Sequence, residues 1–587
     1  MNMLRIALMA LMVQGGGAQQ QPASIEGTVV KMGSGEALPD ATVQLSLDGK
    51  TLDRPGMIGP PTEIPPENFH RTAKTDRNGK FIFEKVLPGE YQLIATRAGG
   101  YVPAEYGQRS VSSVGIEFQV TAGQRMTGIQ LALSPTGSIS GRVYDRDGEP
   151  LGRAQVQALR SVFRDGRRLL TIVQMVETND RGEYRLFWLP PGRYFVSAKP
   201  DIPGLPGPSA GPGTAQRITD PARSYSYELA WSPVVKKRTL KSGEAVEEVY
   251  VPVYYPGTAE MQSASPIAVP AGGAVGGVDI SVGVGLMPAR HIRGRIIDGS
   301  NGQPMSAGVM AVPRTLEPLL NVPSTVADKN GLFDLSGALP GSYFLFSTGS
   351  HGYGMVPIEV GDKDLENIAI VTSQGFNISG RFVIDGRSRS GADPKVTDLR
   401  VASLTRDPQI IGMPNAGPSF NPPSEPDGSF RLQGVGIGDF RVTIRGVPED
   451  GYVKSMRMGN VDVLDRGLHI DSAPESLLDI VIGANGGRID GSVVNTRQEP
   501  LPNRTVVLVP DVRLRHRIDL YKSISTDGSG RFRMPGLTPG DYKLFAWEDV
   551  ETGAWHDPDF MRLHENSGKP VQIREGSDES VQLTEIP

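Results

Sequence analysis

The chain of 587 residues has no cysteine. Disulfide bonds, thiol nucleophiles, thiolate ligands for zinc and an N-terminal lipid anchor on cysteine are therefore excluded. Histidine is scarce as well, with seven residues, and none of them has the H-x-x-E or H-E-x-x-H spacing with which a metallopeptidase holds zinc. Because the nucleophile-elbow and phosphate-loop patterns are also missing, we predict no enzyme activity, no catalytic residues, no cofactor and no metal.

Long hydrophobic runs are lacking too. After the N-terminus, no stretch approaches the roughly 18 apolar residues that a membrane-spanning helix needs, so we expect no transmembrane segment. The N-terminus has Arg5, the apolar run from Ile6 to Val13 and the small-x-small pattern Gly16-Gly17-Ala18. This order is typical of a secretory signal. We therefore predict a signal peptide over residues 1–18 and an exported protein, located in the periplasm or outside the cell.

An excess of positive charge is also absent. The formal net charge is −5 and the isoelectric point is about 5.9, whereas nucleic-acid binding depends on clustered Lys and Arg that neutralise phosphates. Local groups such as Arg513, Arg515 and Arg517 are interpreted as solvated loop charge. We expect no nucleic-acid partner.

What the sequence has in excess is glycine and proline, with 72 and 48 residues. Apolar residues still make up 38% of the chain, and they recur in short alternating runs. Alternation with a period of two is typical of strands with one buried face. The composition therefore predicts a turn-rich all-β protein and argues against intrinsic disorder.

One spacing pattern, which we call the frame, recurs five times without change. It consists of Gly, any residue, an aromatic residue, seven residues, and then Gly, any residue and an aromatic residue again. The five copies are Gly79/Phe81/Gly89/Tyr91, Gly182/Tyr184/Gly192/Tyr194, Gly331/Phe333/Gly341/Tyr343, Gly428/Phe430/Gly438/Phe440 and Gly530/Phe532/Gly540/Tyr542. Because the first Gly suits a turn with positive φ, each copy predicts a hairpin turn, a strand, a second turn and a strand. We expect the last aromatic residue of each frame to fill a core.

Each copy of the frame lies in a unit that opens with Ile, any residue and Gly. The five openings are Ile25-Glu26-Gly27, Ile139-Ser140-Gly141, Ile292-Arg293-Gly294, Ile378-Ser379-Gly380 and Ile489-Asp490-Gly491. Short strands separated by turn signals predict a β-sandwich in every unit. The predicted fold is a tandem array of five seven-stranded immunoglobulin-like or transthyretin-like β-sandwich domains after the signal peptide. We place the domains at residues 23–134, 136–287, 288–375, 376–483 and 486–587, with a Pro/Gly-rich insertion at about 200–241 in the second.

The motifs of these units resemble the carboxypeptidase regulatory-like domain. The resemblance is carried by the Ile-x-Gly openings and by three motifs of the first unit, Leu38 to Thr42, Thr75 to Phe81 and Leu87 to Tyr91. That family is similar to transthyretin-like domains, to collagen-adhesin B-type repeats and to the starch-binding-like sandwich. The resemblance implies an exported sandwich without catalytic residues that binds carbohydrate or protein. The fourth unit departs from the pattern, with Ile437-Gly438 in place of Pro-Gly.

Sugar binding would use exposed aromatic rings that stack on pyranose rings. Trp188 is the first candidate, because the same frame position holds Lys85, Gly337, Gly434 and Gly536 in the other units, so no core residue is required there. Packing between domains is the other interpretation of this residue. The weaker candidates for a ligand platform are Trp231, Tyr254, Tyr255, Trp547 and Trp555.

Two segments of the sequence contain residues that could bind a cation. His556 and His564 share a loop with Asp557, Asp559 and Glu565, and we interpret this segment as an acidic surface loop and not as a metal site. Asp-rich turns such as Asp145 to Gly148 could offer oxygen atoms to calcium, which takes six to eight of them. The Asp-x-x-Gly pattern is also what a hairpin turn uses, so calcium binding stays open.

The functional hypothesis is an exported, non-catalytic, multidomain binding or scaffold protein that binds carbohydrate at the cell envelope. A first alternative is a structural or adhesion protein that docks onto another envelope protein. A second alternative is a cryptic hydrolase in the insertion at 200–241 or in the His556 loop. The expected partner is accordingly a polysaccharide or a cell-envelope protein, and the oligomeric state stays open.

Overall fold

The computed structural model describes most of the chain. The described ranges are residues 22–47, 70–108, 110–111, 115–164, 167–200, 235–239, 245–314, 322–349, 352–389, 394–406 and 424–586. The predicted signal peptide, most of the insertion in the second unit and Trp231 lie outside these ranges. Strands are the main regular secondary structure of the described residues and helices are few and short, which confirms the all-β class. Residues up to Pro135 form one compact region, and residues from Thr136 onward form another.

The first unit is a sandwich of two sheets. Its strands are β1 Ala23–Lys31, β2 Thr42–Leu47, β3 His70–Lys74, β4 Lys80–Val86, β5 Gly89–Thr96, β6 Ala104–Glu105, β7 Phe118–Val120 and β8 Arg125–Leu133. One sheet has the order β4-β1-β8, and the other has β3-β2-β5 with both β6 and β7 paired to β5. In β4 the buried residues alternate with exposed ones, so Phe81 and Phe83 enter the core between the sheets.

The second unit repeats this arrangement and adds a small third sheet. Its strands are β9 Gly137–Tyr144, β10 Gln155–Arg164, β11 Arg167–Glu177, β12 Glu183–Leu189, β13 Gly192–Lys199, β14 Val235–Thr239, β15 Ala245–Tyr250, β16 Val253–Tyr254, β17 Ile267–Val269, β18 Ala274–Val275, β19 Ile280–Ser281 and β20 Leu286–Pro288. The sheets are β12-β9 with β18 and β19 on the other side of β9, β11-β10-β13 with β16 and β17, and β14-β15-β20.

The third and fifth units each have seven strands in two sheets. The third has β21 Arg290–Asp298, β22 Gly308–Pro313, β23 Ser324–Val326, β24 Leu332–Ala338, β25 Gly341–Gly349, β26 Gly352–Val360 and β27 Leu365–Thr372. Its sheets are β24-β21-β27 and β23-β22-β25-β26. The first strand is paired to the last one in parallel, as β1 is to β8 in the first unit.

The fourth unit exchanges one strand between its sheets. Its strands are β28 Phe376–Asp385, β29 Arg400–Arg406, β30 Ser429–Val435, β31 Gly438–Arg445, β32 Tyr452–Met458, β33 Val461–Asp462, β34 Leu468–Ile470 and β35 Leu478–Gly483, with helix α1 at Val463–Arg466. The sheets are β30-β28-β35-β32-β33 and β29-β31-β34. The strand after β31 therefore joins the sheet of the first strand, whereas β26 in the third unit stays with β25.

The fifth unit has β36 Gly487–Val494, β37 Thr505–Pro510, β38 Lys522–Ser525, β39 Arg531–Leu537, β40 Gly540–Trp547, β41 Lys569–Ile573 and β42 Asp578–Thr584, with helix α2 at Pro558–His564. The sheets are β39-β36-β42 and β38-β37-β40-β41. Short 3-10 helices complete the described elements: Met261–Ser263, Val282–Gly285, Val396–Asp398, Val512–Leu514, Ile518–Leu520, Ala554–His556 and Glu565–Ser567.

The frame has the same role in all five units. Its first Gly has a left-handed φ in each copy, and a Cβ atom on Gly79 would lie 2.5 Å from the carbonyl oxygen of Val29. The last aromatic residue of every copy is buried, as expected. The five copies lie in five separate hydrophobic cores. The frame is therefore a packing motif, and its residues are not available to a ligand.

Candidate functional site

Trp188 occupies a bulge that is common to all five units. The φ angles at this frame position are 55° at Lys85, 56° at Trp188, 90° at Gly337, 64° at Gly434 and 62° at Gly536. These values lie in the left-handed region, which glycine enters at no steric cost, whereas a bulky side chain is strained there by about 1–3 kcal/mol. Three units have the residue that suits the backbone, and the second unit has the largest side chain in its place.

The bulge arises from a shift in strand pairing. In the register of β12 with β9, Leu186 faces Ile139 and Leu189 faces Gly137, so that Phe187 and Trp188 together oppose Ser138 and one residue is extra. The backbone N–H of Phe187 donates to Oε1 of the buried Gln174 at 2.6 Å. Leu186 and Leu189 enter the core on either side of the bulge. These contacts hold the bulge in one conformation.

The indole of Trp188 is exposed to solvent. The residue is 46% exposed, and its ring contacts that of Phe187 edge to face with the centroids 4.9 Å apart. An aromatic ring held in this way keeps a free face and loses little conformational entropy when a ligand stacks on it. The exposure and the orientation of the Trp188 ring are therefore those expected of a residue on which a ligand stacks.

Four strand positions make the surface beside Trp188 flat. Tyr184 and Leu186 of β12 are in the core, so Arg185 between them lies on the outer face. Arg185 stands opposite Ser140 of β9. Val275 of β18 packs against the core, which places Ala274 and Gly276 on the outer face as well. We call Ser140, Ala274 and Gly276 the outer shelf.

The charges near the outer shelf are mostly paired. Arg142 and Glu183 form a salt bridge at 2.7 Å, and Nδ2 of Asn179 donates to Glu183 at 3.1 Å. These hydrogen bonds, from Asn179 first and Arg142 second, lower the pKa of Glu183. The backbone N–H of Arg142 donates to Asp279 at 2.8 Å. Within the described ranges, no residue forms a hydrogen bond or salt bridge with the guanidinium of Arg185.

The other aromatic candidates are placed differently. Tyr254, Trp547 and Trp555 are 4%, 2% and 6% exposed. Tyr254 packs with Leu159 and Ile172, and both Trp residues belong to one aromatic cluster in the fifth unit. Apolar side chains of these clusters cover their rings, so no ligand can stack there.

Tyr255 is half-buried and packs against the core of the second unit. The structure does not bring these residues to Trp188 as one site, and Trp231 lies outside the described ranges. Among the candidates that the structure describes, Trp188 is the one with an exposed ring, and Trp231 stays a prediction.

In the loop with His556 and His564, the histidine rings pack against aromatic rings, and an aspartate caps helix α2. The ring of His556 lies 4.2 Å from that of Tyr521, and the ring of His564 lies 4.6 Å from that of Phe560, centroid to centroid. Asp557 caps α2 by accepting from the N–H groups of Asp559 and Phe560. In the part of the chain that the structure describes, no three His, Asp or Glu residues are placed to hold a metal ion.

Glu565, the remaining acid of that loop, is engaged by two cations. Arg515 and Lys543 each lie 2.8 Å from its carboxylate. Partial burial alone would raise the pKa of Glu565, but the hydrogen bonds from Lys543 and Arg515 outweigh it and lower the pKa.

The Asp-rich turns use their carboxylates to form turns. Oδ1 of Asp76 accepts from the N–H groups of Asn78 and Lys80 at 2.8 Å each. Oδ1 of Asp145 accepts in the same way from Asp147 at 2.9 Å and Glu149 at 3.0 Å. Side chains of this kind mimic a backbone turn. The local hydrogen bonds explain why Asp is placed there without a bound cation.

A charged cluster at the start of the third unit was missed by sequence reasoning. Nδ1 of His291 lies 2.5 Å from Asp334, and its Nε2 lies 3.0 Å from Glu247 of β15. Arg293 contacts Asp334 at 3.0 Å and Glu366 at 2.5 Å. No short motif links His291 to Glu247, 44 residues earlier. Only the register of β15 with β20 indicates their proximity.

A contact between the second and fifth units was also missed. Phe163 of β10 packs against the cluster that contains Trp547 and Trp555. A Cβ atom on Gly553 would lie 3.3 Å from Cβ of Phe163, so glycine permits the close approach. Strands β10 and β11 have 10 and 11 residues, whereas β2 and β3 have 6 and 5. The longer hairpin is the sequence signal that could have indicated this contact.

The repeated sandwiches make this chain a multidomain β-sandwich protein. Residues 24–134 match the family model of the carboxypeptidase regulatory-like domain. This match confirms for the first unit the resemblance carried by its motifs. In the described ranges no helix has the length and apolar character needed to cross a membrane.

Curated relatives share part of the chain. It is 25% identical over 283 residues to BOS complex subunit NOMO1 of Mus musculus, covering 45% of this chain and 21% of that protein. It is 24% identical over 276 residues to BOS complex subunit NOMO3 of Homo sapiens, covering 44% of this chain and 21% of that protein. The chain thus spans about a fifth of the length of the curated relatives it matches.

Solved structures of pilins are similar in part. The minor pilin GBS52 of Streptococcus agalactiae aligns with a TM-score of 0.21 and 14% identity, covering 44% of this chain and 94% of that chain. A streptococcal ancillary pilin aligns with a TM-score of 0.19 and 12% identity, covering 60% of this chain and 99% of that chain. Nothing about function follows from similarities this low.

Proposed function

We propose that this protein is an exported, non-catalytic binding protein that holds a polysaccharide of the cell envelope through Trp188. The observation that carries the proposal is the exposed indole at a strained bulge, a position where three other units have glycine. Strain of this kind persists only where something compensates it. A stacking surface for a sugar ring is a use that fits the geometry.

Retention on insoluble polysaccharides tests this proposal. The full chain is mixed with insoluble glycans, and the fraction retained after washing is measured. We expect Trp188→Gly and Trp188→Lys to lose retention. Both variants keep the fold, because Gly and Lys occupy this position in other units. Retention that survives both substitutions would show that Trp188 is not the platform, and unchanged thermal midpoints would show that the variants are folded.

A second candidate function is docking onto another envelope protein. The observation in its favour is that the curated relatives are named as subunits of a protein complex. This scaffold role predicts no retention on any glycan. It also predicts recovery of one cross-linked protein partner, in an amount that Trp188→Gly leaves unchanged. A cryptic hydrolase is the last alternative, and turnover of peptide or ester substrates that is lost in His556→Ala and His564→Ala would support it.

The domain boundaries given above are part of the proposal. Five separate cores support them, and the compact region up to Pro135 supports the first boundary. Limited proteolysis of the full chain is expected to release the first domain by cleavage near Pro135. Cleavage inside residues 80–96 would contradict this boundary, because β4 and β5 lie there.

A further inference from the structure

We propose that the polysaccharide bound at Trp188 is acidic, and that Arg185 pairs with the carboxylate of a uronate residue. This inference rests on the proposed function, since it names the class of ligand for the same site. The structural basis is the juxtaposition of an exposed indole, a guanidinium without a described partner and the flat outer shelf on one face of the sheet β12-β9-β18.

Comparison of the units shows that Arg185 lacks the cross-strand ion pair that two of them have at this position. Counted from the first Gly of the frame, the position of Arg185 holds Asp334 in the third unit and Arg533 in the fifth. These two residues form cross-strand ion pairs, Arg293 with Asp334 at 3.0 Å and Arg533 with Asp490 at 2.7 Å. The cross-strand partner of Arg185 is Ser140, which is uncharged.

The other charges of this face do not neutralise Arg185. Glu183 is the nearest acid on the same strand, and it is already bound by Arg142 and Asn179. Among the described residues, the positive charge of Arg185 is therefore left unneutralised on the face that carries the indole. A guanidinium recognises a carboxylate through two parallel N–H to O hydrogen bonds, which are stronger than hydrogen bonds between neutral groups. A uronate supplies this carboxylate, and a neutral hexose does not.

The spacing lets one sugar chain reach both groups. The bulge places Trp188 opposite Ser138 and Arg185 opposite Ser140, two strand positions apart, which corresponds to about 7 Å along a strand. A chain that stacks on the indole can therefore present a carboxylate to the guanidinium. Small side chains on the outer shelf leave room for this chain to lie across the strands.

The fourth unit offers a matched control. Arg431 has the same frame position as Arg185 and faces Ser379 in the same register, but Gly434 stands where Trp188 would be. Arg431→Gln therefore removes an equivalent charge from a face that lacks the indole.

The test compares polysaccharides that differ only in charge. Affinity electrophoresis of the full chain is run in gels with polygalacturonate, alginate and the methyl-esterified form of each. We expect at least one acid form to retard the protein about tenfold more strongly than its ester, because a charge-assisted pair contributes a factor of this order. Arg185→Gln should abolish this difference, Arg185→Lys should restore part of it, and Arg431→Gln should leave it intact.

The outcomes separate the two proposals. Equal retardation by acid and ester, both lost in Trp188→Gly, would overturn the acidic class and leave the sugar platform standing. Retardation by no polysaccharide, charged or neutral, would overturn the proposed function and this inference together. Retardation by the acid forms that Arg185→Gln and Arg431→Gln weaken equally would show nonspecific charge attraction and would also overturn the inference.

Discussion

At the scale of single residues, the hydroxyl of the last frame tyrosine fixes the turn before it. The hydroxyl of Tyr91 donates to the carbonyl of Leu87 at 2.9 Å, and that of Tyr542 donates to Thr538 at 2.8 Å. Tyr194 makes the same bond to the carbonyl of Pro190. Burial raises the pKa of Tyr194 to about 12, so the hydroxyl keeps its proton. The ring fills the core while the hydroxyl satisfies a turn carbonyl.

The fourth unit lacks this bond and has a different one at the same turn. Phe440 has no hydroxyl, and Arg406 donates to the carbonyl of Ile437 at 3.1 Å, one residue beyond the position that the tyrosines contact in the other units. The guanidinium also lies over the ring of Phe440, 5.1 Å from its centroid. Burial lowers the pKa of Arg406. The fourth unit thus departs from the sequence pattern at two places in the same turn. It has Phe in place of Tyr, and Ile-Gly in place of Pro-Gly.

A tyrosine substitution tests the role of the hydroxyl. We expect Tyr542→Phe to lower the local stability of the fifth unit by about 1 kcal/mol, because the carbonyl of Thr538 loses its donor. Hydrogen exchange of the amides in β39 and β40 measures this loss. Tyr353→Phe is the control, since the hydroxyl of Tyr353 has no acceptor among the described residues. Equal losses in the two variants would show that only the change in the ring matters.

At the scale of elements, the hairpin β14–β15 is joined to the third unit by His291. Contacts at both ring nitrogens, to Asp334 and Glu247, require the doubly protonated imidazolium. Further charges face this pair: Asp364 accepts the backbone N–H of His291, Arg293 binds Asp334, and Lys237 binds Glu247. Partial burial by itself would lower the pKa of His291, but the hydrogen bond and charge of Asp334, with the charge of Glu247, raise it.

This junction is expected to weaken as the pH rises. A histidine whose folded pKa is above its unfolded value of about 6.5 contributes its full stabilisation below that value. The contribution is lost as the pH rises through the raised folded pKa. Thermal unfolding of the full chain at pH 6 and pH 8.5 should therefore show a transition that falls with pH. His291→Gln should flatten this dependence.

The control for the pH effect is His469→Gln. His469 also has a raised pKa, from its hydrogen bond with Asp439, but it is largely exposed and lies within the fourth unit. Solvent screening makes its contribution small. If His469→Gln flattened the pH dependence as much as His291→Gln, the effect would not belong to the junction.

Most of the fold could be predicted from sequence patterns within each unit. The features that could not be predicted depend on contacts between residues far apart in the sequence. The frame indicates a turn at Gly79 and a core position at Tyr91 because both depend on neighbouring residues. Trp188 stood out by comparison with its four equivalents. Burial of Trp547 could not be anticipated, because the side chains that cover it come from α2 and from Phe163, far apart in the sequence. The contact of His291 with Glu247 could not be predicted for the same reason.

At the scale of the whole molecule, the contact between Phe163 and the fifth unit links segments about 390 residues apart along the chain. Charged residues of both units also lie near this contact. Burial raises the pKa of Glu551, and the charges of Arg160 and Arg168 offset part of this rise. The second unit is thus bound to the fifth as well as to the third, which the order of the units alone does not suggest.

The absence of native cysteine makes a direct test simple. A Cβ atom added at position 553 would lie 3.3 Å from Cβ of Phe163, near the separation of about 3.5–4.5 Å found in disulfides. We expect the double variant Phe163→Cys, Gly553→Cys to form an intramolecular disulfide on mild oxidation, seen as faster migration on a non-reducing gel. The pair Phe163→Cys, Leu563→Cys is the control, because Leu563 is exposed. Failure of the first pair alone to cross-link would contradict the contact.

The parallel pairing of first and last strands has a mechanical consequence. Parallel neighbours such as β1 with β8, β21 with β27 and β36 with β42 carry the chain into a unit at one end and out at the other. Tension along the chain then loads their hydrogen bonds together in shear, since these bonds run across the strands. In the second unit the parallel neighbours of β9 among the described residues are the two-residue strands β18 and β19. Single-molecule stretching should therefore unfold the second unit at the lowest force.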